Sequence, residues 1–364
     1  MIRVTFDGLT KTFDGVSAVD GASLDVAPGE RMVILGPSGA GKTALARLIV
    51  GLEEPDSGEI RFDGRSLSGL PVQGRKIGYV PREDALWPHR TVAENVGYRL
   101  KVQGIGRRER RMRVGEALGA ARIDSLADRH PDSLTPLQRQ KVALARALIG
   151  EPDLLVWDEP VASLDARHRI EFRDEIRRVH TEHETTTILL TSDPREALAL
   201  ADRVAVLDFG KIVQVGTPIE VYNRPADSFV AQLLGPTNLL QGQADSCDAR
   251  GEVVVRTPIG RLIGKPSGDS PSPGTPVTVA IRPESLAIGP AVPPDSNRFL
   301  ATIERQVLLG ATRQLFLRGP NEWPITALAL QAQSDGLRDG QSLTVSVAPE
   351  FVVLLPSKAA ARPS

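Results

Sequence analysis

The sequence predicts an α/β fold followed by a small all-β domain. Three observations carry that prediction. The apolar run Arg31-Met32-Val33-Ile34-Leu35 leads through a glycine-rich loop into an apolar helix from Thr43 to Val50. A second apolar run, Leu154-Leu155-Val156-Trp157, ends in the adjacent acids Asp158 and Glu159. Beyond about Pro236 the helical patterning stops, and short β-rich stretches alternate with Pro/Gly/Ser loops.

Size and composition set the frame. At 364 residues the chain has room for two or three domains of ~100–200 residues each. A hydrophobic content of 41% can build real cores. The net charge of −1 gives no overall attraction to nucleic acid or anionic lipid, so no nucleic-acid partner is expected. Cys247 is the only cysteine, which excludes an intrachain disulfide and points to a reducing compartment. The N-terminal stretch lacks the apolar run of a signal peptide, and no run of about 18 apolar residues is present to span a membrane. The histidines, at 89, 130, 168, 180 and 183, lack metal-ligand spacing.

In chain order, residues 2–35 read as an antiparallel β region with Gly/Asp turns. Phe13 within it is either a core residue or an aromatic for stacking on a base, and its residue type alone favours the core. Gly36-Pro37-Ser38-Gly39-Ala40-Gly41-Lys42-Thr43 then fits G-x-x-x-x-G-K-[ST]. Glycines let the backbone curl so that successive N–H groups face an anion. Lys42 can reach β- and γ-phosphates, the Thr43 hydroxyl can ligate Mg²⁺, and the helix that follows offers its positive end. The flanking strand and the helix ending at Gly51 are the context the motif requires.

Next come a turn and strand within residues 55–64 and a strand at Ile77-Gly78-Tyr79-Val80. Residues 91–150 have helical periodicity, strongest from Val142 to Ile149. Asp158 stands at a strand end where it can hold Mg²⁺, and Glu159 where it can orient or deprotonate a water. An apolar run ending in two acids is common; following a phosphate-binding loop makes it specific. Thr187 to Ser192 reads as another buried strand. Residues 204–215 form a hairpin around Asp208-Phe209-Gly210, which is no kinase motif because no kinase catalytic loop precedes it. The β-rich stretches at 252–256, 277–282, 301–307, 314–318 and 343–347 read as a small barrel.

Together these elements resemble the ATP-binding subunit of an ABC importer, of the type with a C-terminal OB-like (TOBE) regulatory domain. Further support lies in Leu164-Asp165, in Glu196 to Arg203, in Gln214-Val215-Gly216-Thr217-Pro218 with Tyr222 and Arg224-Pro225, and in Ile281-Arg282-Pro283-Glu284. The resemblance implies an ABC cassette, a mixed sheet with antiparallel β and helical subdomains, over 1–235. Its helical subdomain spans about 82–150, and an OB-like barrel follows at 236–364. It places adenine against Phe13, which outweighs the core reading, and the triphosphate on residues 36–43. Mg²⁺ falls to Thr43 and Asp158, and the role of base to Glu159. Asp165 would contact an opposing cassette. Residues 85–89 would touch membrane permease subunits, with Trp87 either an exposed anchor or a core residue of the helical subdomain. The implied activity is ATP hydrolysis coupled to transport, in a head-to-tail cassette dimer peripheral on the cytoplasmic face of the cell membrane, with a solute-binding protein as an indirect partner. Relatives of this kind serve sugars, polyamines, ferric iron, sulfate and molybdate.

Three positions depart from the family pattern. Arg82 stands where a Gln would ligate Mg²⁺ and sense the γ-phosphate, and an arginine cannot be a metal ligand. Leu134-Thr135-Pro136-Leu137-Gln138 replaces Leu-Ser-Gly-Gly-Gln. Thr135 and Gln138 should still form a capping box around Pro136 at the first helical position, but Pro136 has no N–H for a phosphate and Leu137 adds a side chain. Ser192 replaces the switch histidine. Losing one phosphate donor can cost on the order of 10²–10³ in rate. The alternative reading is therefore a cassette that binds ATP and hydrolyses it poorly or not at all, paired with itself or with a different cassette.

Overall fold

The computed structural model describes residues 1–83, 85–162, 164–248, 251–289 and 297–357. The chain divides into two compact units, Met1–Pro218 and Ile219–Ser364.

In the first unit, β1 (Val4–Phe13) and β2 (Val16–Val26) pair antiparallel about a turn at Asp14 and Gly15, both with positive φ. β3 (Arg31–Leu35) and α1 (Lys42–Val50) flank the glycine-rich loop as expected, and Gly51 caps α1 in the left-handed region that glycine favours. β4 (Ser57–Phe62) and β5 (Arg65–Ser66) complete a four-stranded sheet ordered β2-β1-β4-β5.

The second sheet positions the site. β6 (Ile77–Val80), β7 (Leu154–Asp158), β8 (Thr186–Thr191), β9 (Arg203–Asp208) and β10 (Lys211–Gly216) join β3 in the order β10-β9-β3-β8-β7-β6. All neighbours are parallel except β10, which returns antiparallel along β9 through a tight turn at Phe209 and Gly210. β7 and β8 are buried at every residue, because helices or sheet cover both faces of a parallel sheet. Leu35 pairs with Thr191 and Val80 with Trp157. The loops after β3, β6, β7 and β8 therefore leave from one carboxyl edge, where open α/β sheets bind ligands.

Between β6 and β7 lie α2 (Val92–Val102), α3 (Arg107–Ala120) and α4 (Pro136–Leu148), packed around Val92, Val96, Leu100, Leu118, Val142 and Ala145. Both α2 and α4 begin with complete capping boxes, Thr91 with Glu94 and Thr135 with Gln138. α5 (Ala166–His183) joins β7 to β8 and α6 (Pro194–Leu200) joins β8 to β9. No helix among the described residues is long and apolar enough to cross a membrane.

The second unit opens with α7 (Pro218–Asn223) and α8 (Ser228–Leu234), so these helices group with it although the sequence reading sets its start at 236. The guanidinium of Arg282 accounts for the grouping: it donates to the carbonyls of Tyr222, Ala231 and Gly235 and stacks on the Tyr222 ring. The expected barrel is closed, ordered β11-β12-β13-β20-β14, from β11 (Asn238–Cys247), β12 (Val253–Thr257), β13 (Gly260–Pro266), β14 (Pro276–Ile281) and β20 (Val352–Pro356). The unit also holds a five-stranded sheet that the reading of one barrel leaves out. It is ordered β15-β19-β16-β17-β18, from β15 (Ala287–Ile288), β16 (Asn297–Leu308), β17 (Thr312–Arg318), β18 (Pro324–Leu330) and β19 (Ser342–Val347). Barrel residues Val255, Leu262 and Val279 share one core with Ile303, Leu315 and Val345 of the sheet, which is why neither stands alone.

Arg75 fastens the far end of α1. Its guanidinium, 8% exposed, donates to the carbonyls of Leu48 and Ile49 at 3.1 Å each and to that of Leu70 at 3.1 Å. The Leu48 and Ile49 carbonyls belong to the last turn of α1, where Leu48 also accepts from the Gly51 amide at 3.2 Å. We expect Arg75→Ala to lower the stability of the first unit by about 2–4 kcal/mol, since it removes the donor to the Ile49 and Leu70 carbonyls and opens a cavity. A denaturant titration showing less than about 1 kcal/mol would contradict this account.

Candidate functional site

The glycine-rich loop folds as it does because side chains would not fit. A Cβ at Gly36 would sit 2.6 Å from the Leu207 carbonyl oxygen, and one at Gly41, where φ is +99°, 2.0 Å from that of Ala18. Gly41 is also the N-cap of α1 and supplies no capping side chain, so the first amides of that helix are left to meet an anion.

Lys42 lies within this loop and is 5% exposed. Its Nζ donates to the carbonyls of Gly36 and Pro37 at 2.9 Å each, and stands 3.0 Å from Oε1 of Glu159. Glu159, 6% exposed, follows β7 with φ of +48°, a left-handed conformation of order 1–2 kcal/mol above the ordinary one. Its amide donates to the Leu190 carbonyl at 2.8 Å. That turn brings the carboxylate back across the carboxyl edge of β8 to the loop after β3.

Asp158 ends β7 and is 1% exposed. Burial pushes its carboxyl above the usual range, against the lowering effect of the nearby Thr43 hydroxyl. Its Oδ2 accepts from the Tyr79 hydroxyl at 3.5 Å, while Oδ1 is buried without a hydrogen-bond partner. An orphaned carboxylate oxygen beside a hydroxyl, both hard oxygen donors, fits a divalent cation of the Mg²⁺ kind. The amides and lysine of the loop fit the phosphates that such a cation accompanies.

The positions that depart from the family pattern are resolved individually. Arg82 reaches the site from the end of β6, with Nε 3.5 Å from Oε2 of Glu159. Ser192 is exposed just past β8. The strand end before it is held by Thr191, whose hydroxyl donates to buried Glu196 at 2.6 Å and accepts from the Asp193 amide at 3.0 Å. Thr135 caps α4 as its residue type predicts, accepting from the Gln138 amide at 3.3 Å. Leu137, expected to place a side chain where the family keeps bare backbone, is 8% exposed and turned into the core; the missing N–H of Pro136 is the change that stays on the surface.

Other expected residues are placed as follows. Phe13 is 36% exposed with the Lys11 ammonium 5.5 Å from its ring centroid, so the core assignment is set aside. Asp165 caps α5, accepting from the amides of Arg167 and His168. Trp87 is half-buried, its ring 4.6 Å from that of Tyr98 and approached by Arg90 and Arg146. Sequence reasoning misses Tyr79, whose only signal is its place in an apolar strand. It also misses Asn95, fully buried, which accepts from the Trp87 amide at 2.8 Å and donates to the carbonyls of Trp87, Arg90 and Thr91.

Comparison with known proteins agrees with this geometry. Residues 19–162 match the ABC transporter family, and residues 279–355 match the TOBE domain. The chain is 36% identical to the spermidine/putrescine import ATP-binding protein PotA of Rubrobacter xylanophilus over 98% of this chain and 94% of that one. It is 41% identical to an sn-glycerol-3-phosphate import ATP-binding protein, UgpC 1, of Rhizobium johnstonii, over 86% and 84%. Among solved structures it is similar to the dimeric ATP-binding cassette MJ0796 in a post-hydrolysis state bound to ADP and Pi. That match has a TM-score of 0.55 and 28% identity, over 59% of this chain and 98% of that one. A phosphate-binding loop, an acid pair at the adjoining strand end and full-length relatives of one kind converge: the chain belongs to the ABC transporter family, as an importer-type ATP-binding subunit, an ABC ATPase with a C-terminal TOBE domain.

Proposed function

We propose that this subunit hydrolyses Mg-ATP on the carboxyl edge of its parallel sheet, with Glu159 as the base that activates water. The observation that carries the proposal is the meeting of Lys42, Asp158 and Glu159, three polar side chains that are each more than nine-tenths buried at the mouth of the loop. In this reading the amides of residues 36–43 and Lys42 cradle the triphosphate, and Phe13 offers its exposed face to adenine. Thr43 and Asp158 would hold Mg²⁺, which supplies charge neutralisation between the β- and γ-phosphates. Lys42, on taking up phosphate, gives up its contact with Glu159 Oε1, and that oxygen becomes the acceptor for a water proton.

The dimeric state of MJ0796 supports a head-to-tail dimer in which Asp165 and the Thr135–Gln138 cap face the opposing cassette. The names of the relatives as import ATP-binding proteins support membrane permease subunits as partners, and a position on the cytoplasmic side of the membrane. Residues 85–89 are the docking segment, with Asn95 as the fixed point beneath it. A second reading, slow hydrolysis, is favoured by the Arg82 contact with Glu159 and the short side chain of Ser192. A partner cassette with an intact signature segment would then complete the site.

Steady-state phosphate release by the purified subunit, alone and with its permease, tests the main reading. Lys42→Ala should abolish it, and Glu159→Gln should lower it about 100-fold or more. An unaltered rate in Glu159→Gln would remove that residue from the chemistry. The raised carboxyl of Asp158 sets a pH dependence. A proton competes with the metal, so the Mg²⁺ concentration for half-maximal activity should rise as pH falls toward that raised value, and Asp158→Asn should flatten the dependence. The ion-free fold responds in the opposite sense, because a carboxyl with a raised folded value gains stability as pH drops. For coupling, Asn95→Ala should leave nucleotide binding by the isolated subunit within about twofold of the parent and cut transport-coupled hydrolysis about tenfold or more, through loss of buried hydrogen bonds. Equal loss in both assays would place Asn95 in the general stability of the fold.

A further inference from the structure

Asp56 supports an inference that rests on the placing of adenine against Phe13 in the function proposed above, and deepens it. Phe13 ends β1 close to the glycine-rich loop. It pairs with Val16 across the hairpin, and two residues further along β2 stands Ala18, whose carbonyl oxygen would lie 2.0 Å from a Cβ at Gly41. The Phe13 ring, 36% exposed, is thus presented near the start of α1. The strand ladder alone fixes it poorly. The pairing of β1 with β2 shifts register between Leu9 and Lys11 and again between Lys11 and Thr12. On the other side, β4 pairs with β1 only as far as Thr10 opposite Ser57, which leaves residues 11–13 past the end of that ladder.

Asp56, the residue before β4, acts at that place. Its amide donates to the Thr10 carbonyl at 2.9 Å. Its carboxylate accepts from the Thr12 amide at 2.8 Å through Oδ2 and from the Lys11 ammonium at 3.0 Å through Oδ1. One side chain therefore continues the ladder beyond its last pair and ties down a cation as well. The ammonium lies over the Phe13 ring, 5.5 Å from its centroid, where the negative face of an aromatic attracts it. The Lys11 side chain is only 16% exposed, so this contact is sheltered. The hydrogen bond from the Thr12 amide, followed by that from Lys11, holds the Asp56 carboxyl below its usual range, so it is charged at neutral pH.

We propose that Asp56 is a positioning residue for the nucleotide base: through the Thr12 backbone and the Lys11 ammonium it fixes the Phe13 ring for stacking before nucleotide arrives. Ordering a side chain and its strand end at the moment of binding costs affinity, and ordering them in the free protein removes that cost. The effect is confined to ligands that carry a base. The triphosphate is gripped by a different set of groups, Lys42 and the amides of residues 36–43.

The test is calorimetric binding of a non-hydrolysable ATP analogue and of inorganic tripolyphosphate, which lacks the base, each with Mg²⁺, to the purified full chain. Asp56→Ala should weaken the analogue about three- to tenfold, the range expected for one side chain ordered in advance, and leave tripolyphosphate within about twofold. Asp56→Asn, which keeps an acceptor for the Thr12 amide, should recover part of the loss. Lys11→Met, which removes the ammonium and spares the Thr12 contact, should show a smaller loss than Asp56→Ala. Phe13→Ala should weaken the analogue at least as much as Asp56→Ala, and joining the two should add nothing further, because both act on one ring. An analogue affinity indifferent to residue 56, or additive losses in the double variant, would overturn the proposal. Equal losses for both ligands would overturn it too, by making Asp56 a residue of general stability. If Phe13→Ala bound the analogue as the parent does, the adenine assignment itself would fail and take this inference with it, a result distinct from the others.

Discussion

Lys42 and Glu159 form an ion pair from which water is almost wholly removed, with side chains 5% and 7% exposed. Withdrawing either charge from water costs several kcal/mol, and only close partners offset it. This requirement dictates much of the surrounding geometry. β3 and β7 must lie on either side of β8 in parallel register so that their ends meet. The loop between β3 and α1 must curl tightly enough for its own carbonyls to reach the lysine, which Gly36 and Gly41 permit where any Cβ would collide with backbone. Glu159 must take a left-handed turn to point back over the sheet edge. Removing one partner would leave a buried charge alone, so the arrangement holds as a set.

A ligand enters such a set by exchange. Phosphate can replace the carboxylate at Lys42, and a divalent cation can supply the partner that Asp158 Oδ1 lacks. In one half of the site, the side chains of Lys42, Asp158 and Glu159 are each more than nine-tenths buried, and the Lys42 ammonium is fully engaged. The half that departs from the family pattern, Arg82, Pro136 and Ser192, is exposed. Substitution at those three places therefore alters what meets the terminal phosphate without disturbing what holds the sheet. α4 illustrates the point: its capping box is intact and Leu137 is absorbed into the core, so the helix keeps its stability while one backbone donor is lost at Pro136.

The parts of this site that are local in sequence were legible there. The loop 36–43 carries its chemistry in eight adjacent residues, and the cap at Thr135 needs only Gln138 three residues on. Asp158 and Glu159 were legible only in combination with that loop. What could not be read is what the topology brings together. Nothing in Pro81-Arg82-Glu83 says that β6 will lie beside β7 and deliver Arg82 to Glu159. Tyr79 looks like any aromatic in an apolar strand until its hydroxyl is found on Asp158. In the second unit, β13 and β20 close the barrel by a short parallel pairing at Lys265 with Val353 and Pro266 with Leu354. A strand containing glycine, lysine and proline reads as loop because its strand character comes from that distant partner. α5 escaped for a related reason: its run of Arg, Glu and His is mostly solvent-facing, and only Phe172, Ile176 and Val179 are buried.

The stretch from Ala85 to Thr91 is fastened to the helical region. The Ala85 carbonyl accepts from Arg146 of α4 at 2.6 Å. Trp87 is pinned by Asn95 of α2 through both its amide and its carbonyl, and the Arg90 and Thr91 carbonyls are bound by the same side chain. Coupling between a nucleotide and a distant surface requires an element with two discrete positions that both ends can bias. The tethers at Ala85 and Trp87 join this segment to α4 and α2, so any displacement of it has to be shared with the helical region.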